Sequence, residues 1–262
     1  LSTDVPPEDA VNVSFEPFVA AVRSGAHFTL AAHFRIAPGY RLAWQASGDG
    51  GKATTVTFRA PAGFDVGPTQ FPAPTRFPTA GGGSALGYEG ETAMFADVKA
   101  PNNLRPDDVV RLDMFAEWSA CRDECRIART AAFVELETTR GDGRAKSVEA
   151  ELAPFRARLP RALPRFEETW KLTQQDATLL VHVKGVTFTD FFSDGRAKPA
   201  PLDVTTPSGD LAIRYDDAPG AGTRPVRGLA AGTADGKDVF YEYEVKPRLP
   251  AGSVETEVRK PK

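Results

Sequence analysis

Period-two alternation of apolar and polar residues is the feature that most restricts what this chain can fold into. It is clearest in Phe28-Thr29-Leu30-Ala31-Ala32-His33-Phe34-Arg35-Ile36, which sets Phe28, Leu30, Ala32, Phe34 and Ile36 on one face of an extended strand. Shorter strand-like runs occupy residues 11–15, 40–44, 54–58, 88–98, 109–118 and 132–138. Turn formers separate them, as at Pro38-Gly39 and Pro61-Ala62-Gly63. With 23 Gly, 22 Pro and 17 Phe in 262 residues, many short strands joined by tight turns are favoured over a helix bundle. A hydrophobic share of 41% supplies a core, and the length allows one large domain or two of ordinary size.

Gly141-Asp142-Gly143 marks a boundary. After it, Val148, Leu152, Phe155 and Leu159 fall at near-helical spacing and Pro160 stops the pattern, which predicts one short helix. A second β pattern follows at residues 170–173, 178–183, 186–192, 211–215 and 239–245, with no cysteine and no cluster of catalytic residue types. The expected architecture is all-β: a first β-sandwich over residues 1–140, a helical connector over 141–164, and a second β-sandwich over 165–262. Residues 1–9 read as a loose lead-in. Residues 64–87 carry Pro68, Pro72, Pro74, Pro78 and the Gly81-Gly82-Gly83 run. They are expected to hold little regular structure, as a surface connection or as a cover over a site.

A net charge of −3 gives no support to nucleic acid or an anionic membrane surface as partner. No apolar run approaches the roughly 20 residues that span a bilayer. The chain begins at Leu1 without a basic-then-apolar leader, which reads as an exported product with its signal peptide removed.

The only two cysteines, Cys121 and Cys125, stand three residues apart behind Trp118. The strands at 109–118 and 132–138 put them on a strand–turn–strand unit at one end of the first sandwich, with residues 121–128 expected as a turn of helix. A disulfide there closes a very short loop and is a weak staple. Close spacing suits rapid resolution of a mixed disulfide. Arg122 and Arg126 favour a thiolate, while Glu117, Asp123 and Glu124 oppose it. Three readings stay open on the residues alone: a static disulfide in an exported protein, redox exchange, or Cu(I) held by both thiolates with Met94, Met114 or a histidine. Zinc wants four ligands, and no second Cys or His pair stands at ligand spacing. His27, His33 and His182 are isolated and read as ordinary strand residues.

The order Pro38-Gly39-Tyr40, Trp44, Gly48-Asp49-Gly50-Gly51, Phe71-Pro72-Ala73-Pro74, Arg76-Phe77-Pro78, Gly87-Tyr88-Glu89-Gly90-Glu91, Trp118 and Cys121…Cys125 resembles the N-terminal periplasmic domain of the DsbD thiol:disulfide reductase family, nearest the ScsB branch linked to copper tolerance. The resemblance covers roughly residues 28–136, and the second β pattern resembles the extra domain of that branch. It implies an immunoglobulin-like fold in the periplasm. It also implies a Cys121/Cys125 pair that passes electrons from a membrane-embedded donor domain, in the same full-length chain or another, to thioredoxin-like periplasmic proteins. Cys125 would form the mixed disulfide and Cys121 would resolve it. A cap loop would cover the pair, with Phe77 as lid residue and Tyr88, Glu89 and Trp118 lining the site; Trp118 fits a core position equally well. No cofactor and no metal are assigned, and a copper(I)-binding or copper-protective module remains the alternative.

Overall fold

Strand follows strand through the first half of this computed structural model: β1 (Val11–Pro17), β2 (Val22–Arg23), β3 (His27–Ile36), β4 (Arg41–Gly48), β5 (Thr55–Arg59), β6 (Asp65–Val66), β7 (Thr75–Pro78), β8 (Ser84–Tyr88), β9 (Glu91–Lys99), β10 (Val109–Cys121) and β11 (Cys125–Thr139). The helix α1 (Val148–Arg156) comes next. The structure describes residues 10–48, 51–79, 82–141, 143, 148–172, 177–193, 203–215 and 226–245. The lead-in at 1–9, the middle of the 48–51 loop, Gly81, Asp142 and Thr173 lie outside the described residues. The chain divides into two units, Leu1–Leu159 and Pro160–Lys262.

In the first unit, one sheet has the order β1-β3-β9-β6 and the other the order β2-β11-β10-β4-β8-β7, with β5 also paired to β10. The alternation of β3 is borne out: Phe28, Leu30, Ala32, Phe34 and Ile36 are all buried. Phe34 meets Trp118 of β10 edge-on at 5.8 Å between ring centroids, and Phe15 of β1 lies 5.8 Å from Phe58 of β5. These aromatic contacts join the two sheets in an immunoglobulin-like sandwich.

The other face of β3 is buried as well, because α1 covers it. Leu152 packs with Phe18, Ala31, Ala93 and Phe95, flanked by Val148, Phe155 and Leu159. Alanine at 31 and 93 leaves the room a helix needs against a sheet. The helix expected as a connector is thus a layer of the first unit. Immediately after it, β12 (Arg161–Ala162) pairs parallel with β19 (Lys237–Val245), so those residues already belong to the second unit.

Residues 64–87 are more regular than their prolines suggest. β7 and β8 form an antiparallel hairpin, Thr75↔Gly87 to Pro78↔Ser84, and β8 joins β4. The approach is close: a Cβ at Gly87 would stand 2.3 Å from the Leu42 carbonyl oxygen, so only glycine fits. Ahead of the hairpin, Phe71, Pro72, Ala73 and Pro74 are buried.

Among the described residues, the second unit has two four-stranded sheets. β13 (Glu167–Leu172), β14 (Ala177–His182), β17 (Leu211–Tyr215) and β16 (Asp203–Thr205) make one; β12, β19, β18 (Val226–Ala234) and β15 (Thr187–Ser193) make the other. Leu179, Val181, Phe188, Leu211, Ile213 and Tyr243 fill its core. A register shift between Phe188 and Asp190 lets the Asp190 carboxylate accept from the Phe191 N–H at 2.7 Å.

Candidate functional site

The cysteines sit at the end of the longest hairpin. β10 and β11 pair without a break from Val109↔Glu137 to Cys121↔Cys125. The expected turn of helix at 121–128 does not form. Only Arg122, Asp123 and Glu124 lie between the strands, closed by the Arg122 N–H donating to the Glu124 carbonyl at 3.2 Å. The long ladder carries the strands to the cysteines and overrides the helical look of the charged residues.

Parity decides where the side chains point. Val110, Leu112, Met114, Ala116, Trp118 and Ala120 are buried, so the odd positions, Cys121 among them, turn to the outer face. Cys121 and Cys125 are directly opposite, 4.0 Å apart at Cα, and bonded as a disulfide. Cys121 is half-buried and Cys125 exposed.

A groove of about 380 Å³ runs beside the disulfide, lined by Arg41, Phe77, Pro78, Leu86, Cys121 and Cys125 among others. Phe77, buried on β7, therefore shares a groove with both cysteines. Arg41 holds it there. The residue pairs in register with Cys121, its guanidinium lies 4.6 Å from the Phe77 ring centroid, and its Nε donates to Glu89 Oε1 at 3.0 Å. Glu89 thus reaches the groove through Arg41.

Tyr88 is buried behind this layer. Its hydroxyl donates to the Pro72 carbonyl at 2.7 Å. Burial pushes its pKa well above the ordinary tyrosine value, against a smaller opposing pull from Arg158, so it acts as a neutral donor. Arg158 ties down the same segment, with Nη2 donating to the Ala73 carbonyl at 2.8 Å and the Ala73 N–H donating back to the Arg158 carbonyl at 2.9 Å. Trp118 faces the core against Phe34, on the opposite side of β10 from Cys121.

On the other flank, Gly51 touches Cys125. A Cβ at Gly51 would stand 3.0 Å from Cys125 Sγ and 3.2 Å from Ser119 Oγ, and its φ of +81° favours glycine independently. The Ser47 hydroxyl fixes this turn by donating to the Gly51 carbonyl at 2.6 Å, and the Lys52 N–H donates to Ser119 Oγ at 2.9 Å. Arg41, Gly51 and the Tyr40–Arg122 stack, at 5.1 Å, escaped assignment from sequence, although Gly51 and Tyr40 lie inside motifs that carried the resemblance.

Three ion pairs stand near the tip: Arg122 with Asp123, Arg41 with Glu89, and Lys52 with Glu117. No uncompensated cation cluster is built from these pairs to acidify a thiol. The further copper ligands considered stand elsewhere. Met114 is buried on the opposite face of β10, and Met94 is buried on β9. His33 sits under α1 with Nε2 3.1 Å from Glu91 Oε2, and His182 pairs with Asp210 in the second unit. Among the described residues no group of three or more His, Cys, Asp or Glu is placed to hold a metal ion.

What this arrangement can do is exchange disulfides: a bonded pair at a surface tip, beside a groove that both cysteines line, with Cys125 the more exposed residue of the two. Comparison with known proteins agrees. Residues 5–136 match the family described as thiol:disulfide interchange protein DsbD, N-terminal. The N-terminal periplasmic domain of ScsB from Proteus mirabilis has a similar fold, with a TM-score of 0.61 and 17% identity over 92% of this chain and 95% of that one. The Neisseria meningitidis DsbD N-terminal domain in the reduced form aligns at 20% identity over 52% of this chain and 91% of that one, with a TM-score of 0.32. No curated protein sequence matches. The chain belongs to the DsbD N-terminal domain family of thiol–disulfide exchange proteins, and its fold is similar to that of the ScsB periplasmic domain.

Proposed function

We propose that Cys121 and Cys125 shuttle electrons between a membrane-embedded donor and thioredoxin-like proteins in the periplasm, the compartment of the ScsB domain it resembles. In the reduced chain the Cys125 thiolate attacks a partner disulfide. A mixed disulfide forms and one partner thiolate leaves. The Cys121 thiolate then attacks Cys125 Sγ, closing the Cys121–Cys125 bond and releasing the second partner thiolate. Two electrons and two protons pass to the partner, and the donor later reverses the sequence. The observation that carries this reading is the unequal exposure of two directly opposed cysteines: Cys125 is open to a partner while Cys121 stays half-buried within bonding reach. Phe77, held by Arg41 and Glu89, forms the wall that restricts approach, with Tyr88 fixing the base of that wall.

Trapping tests the roles. Cys121→Ser, mixed with an oxidised thioredoxin-like periplasmic protein, accumulates a covalent complex through Cys125. Cys125→Ser gives much less. Equal trapping by both variants, or trapping by Cys125→Ser alone, reverses the assignment.

A further inference from the structure

β11 pairs with β10 along its whole length, but on its other side only Thr138 and Thr139 have a strand partner, Val22 and Arg23, among the described residues. Among the described residues, 125–137 therefore have no strand paired along that side, although β1 approaches β11. Natural edges are blunted by proline, lysine, bulges or very short strands. This one contains no proline, glycine or lysine, and its ladder with β10 shows no register shift. The 4.0 Å Cα separation at Cys121↔Cys125 marks a pair that does not exchange backbone hydrogen bonds. By alternation the odd residues of β11 then turn their N–H and C=O groups to the open edge. The surface beside that edge carries apolar side chains among its charges, with Arg111 lying over the Phe133 ring and Arg59 over Phe115. Val109, Phe115, Ile127 and Phe133 are exposed on the outer face of this one hairpin, and Phe166 is the remaining exposed large hydrophobic among the described residues.

Charge order identifies the occupant. Arg126 and Arg129 stand in the first half of β11, and Glu135 and Glu137 in the second. Such a strand is complementary to itself when run antiparallel. We propose that two copies of the chain associate through their β11 edges, antiparallel about a twofold axis at Ala132. Arg129 of each copy then stands opposite Glu135 of the other, twice by symmetry, with Ala131 opposite Phe133 and Ile127 opposite Glu137. The small Ala131 and Ala132 at the axis allow close approach. Cys125 would fall opposite Thr139, whose edge β2 already occupies, so the shared ladder stops short of the disulfides. The two exchange sites stay open at opposite ends, 14 register steps or about 46 Å apart at about 3.3 Å per residue.

Sedimentation velocity on the oxidised 262-residue chain over a concentration series tests this. The expected result is a monomer–dimer equilibrium. Arg129→Glu puts like charges opposite each other at two places and raises the dissociation constant by about tenfold or more. Arg129→Glu combined with Glu135→Arg restores it, and no merely destabilising change would do that. A monomer at every concentration up to about 1 mM overturns the proposal. A dimer indifferent to Arg129→Glu overturns it too, because the contact would then lie elsewhere.

Discussion

Phe77→Ala separates a lid from a packing residue. The ring is 8% exposed, and its face is taken by Arg41 at 4.6 Å. Its burial is worth about 1.5–3 kcal/mol and the cation–π contact about 0.5–1 kcal/mol, so removal costs about 2–4 kcal/mol. β7 is the end strand of its sheet, so part of that loss emerges as local opening of the β7–β8 hairpin. Each 1 kcal/mol of easier opening multiplies the open population roughly fivefold. Urea denaturation of the oxidised chain reads the stability, and the rate of disulfide reduction by a small thiol reads the screening. The expected outcome is lower stability together with reduction faster by roughly fivefold or more. Phe77→Leu, which keeps most of the apolar burial but loses the ring face, should fall by about 1 kcal/mol with a smaller rise in rate. Lost stability with an unchanged reduction rate would refute the lid and leave Phe77 as core alone.

Other perturbations probe the supports. Arg158→Ala removes the donor to the Ala73 carbonyl and should lower stability by about 1–3 kcal/mol while also speeding small-thiol reduction, measured by the same pair of assays. Leu152→Ala empties the contact of α1 with Phe18, Ala31, Ala93 and Phe95, for a loss of about 2–5 kcal/mol in denaturation with the reduction rate unchanged. Burial raises the pKa of both Tyr88 and Tyr215, so the folded chain keeps phenolic protons that the unfolded chain gives up near pH 10. Their contribution to stability is complete below about pH 10 and is lost as pH rises above it, which a Tm series between about pH 9 and 11 detects as a decline that Tyr88→Phe makes shallower.

The sandwich was legible where one face alone mattered. The alternation in β3 named its inner residues, and the strands flanking the cysteines were visible because the even positions of β10 are apolar from Val110 to Ala120. What stayed hidden depended on partners distant in sequence. Arg122, Asp123, Glu124 and Arg126 read locally as a helical turn, yet the β10–β11 ladder takes in Arg126 and reaches the cysteines, leaving only Arg122, Asp123 and Glu124 as the turn. The prolines of residues 64–87 suggested irregularity, whereas Gly87 permits β8 to close on β4 and carries β7 with it. The helix was found by its spacing, but not the body it covers. The clue lay in Ala31 and Ala93, small residues on a strand face that a solvated sheet would have made polar. At the site, the cysteines and Phe77 were readable and meet in one groove. Arg41 was not, because its role arises from standing in register with Cys121 across β4 and β10.

Electron transfer by the Cys121–Cys125 pair is tested most directly by mixing the fully reduced chain with an oxidised thioredoxin-like periplasmic protein and counting free thiols on each by mass after acid quench. The expected result is one disulfide gained at Cys121–Cys125 for each disulfide lost by the partner, with no such transfer from the Cys125→Ser chain. A partner left oxidised in the presence of excess reduced chain would contradict the exchange role and leave the pair a static bridge.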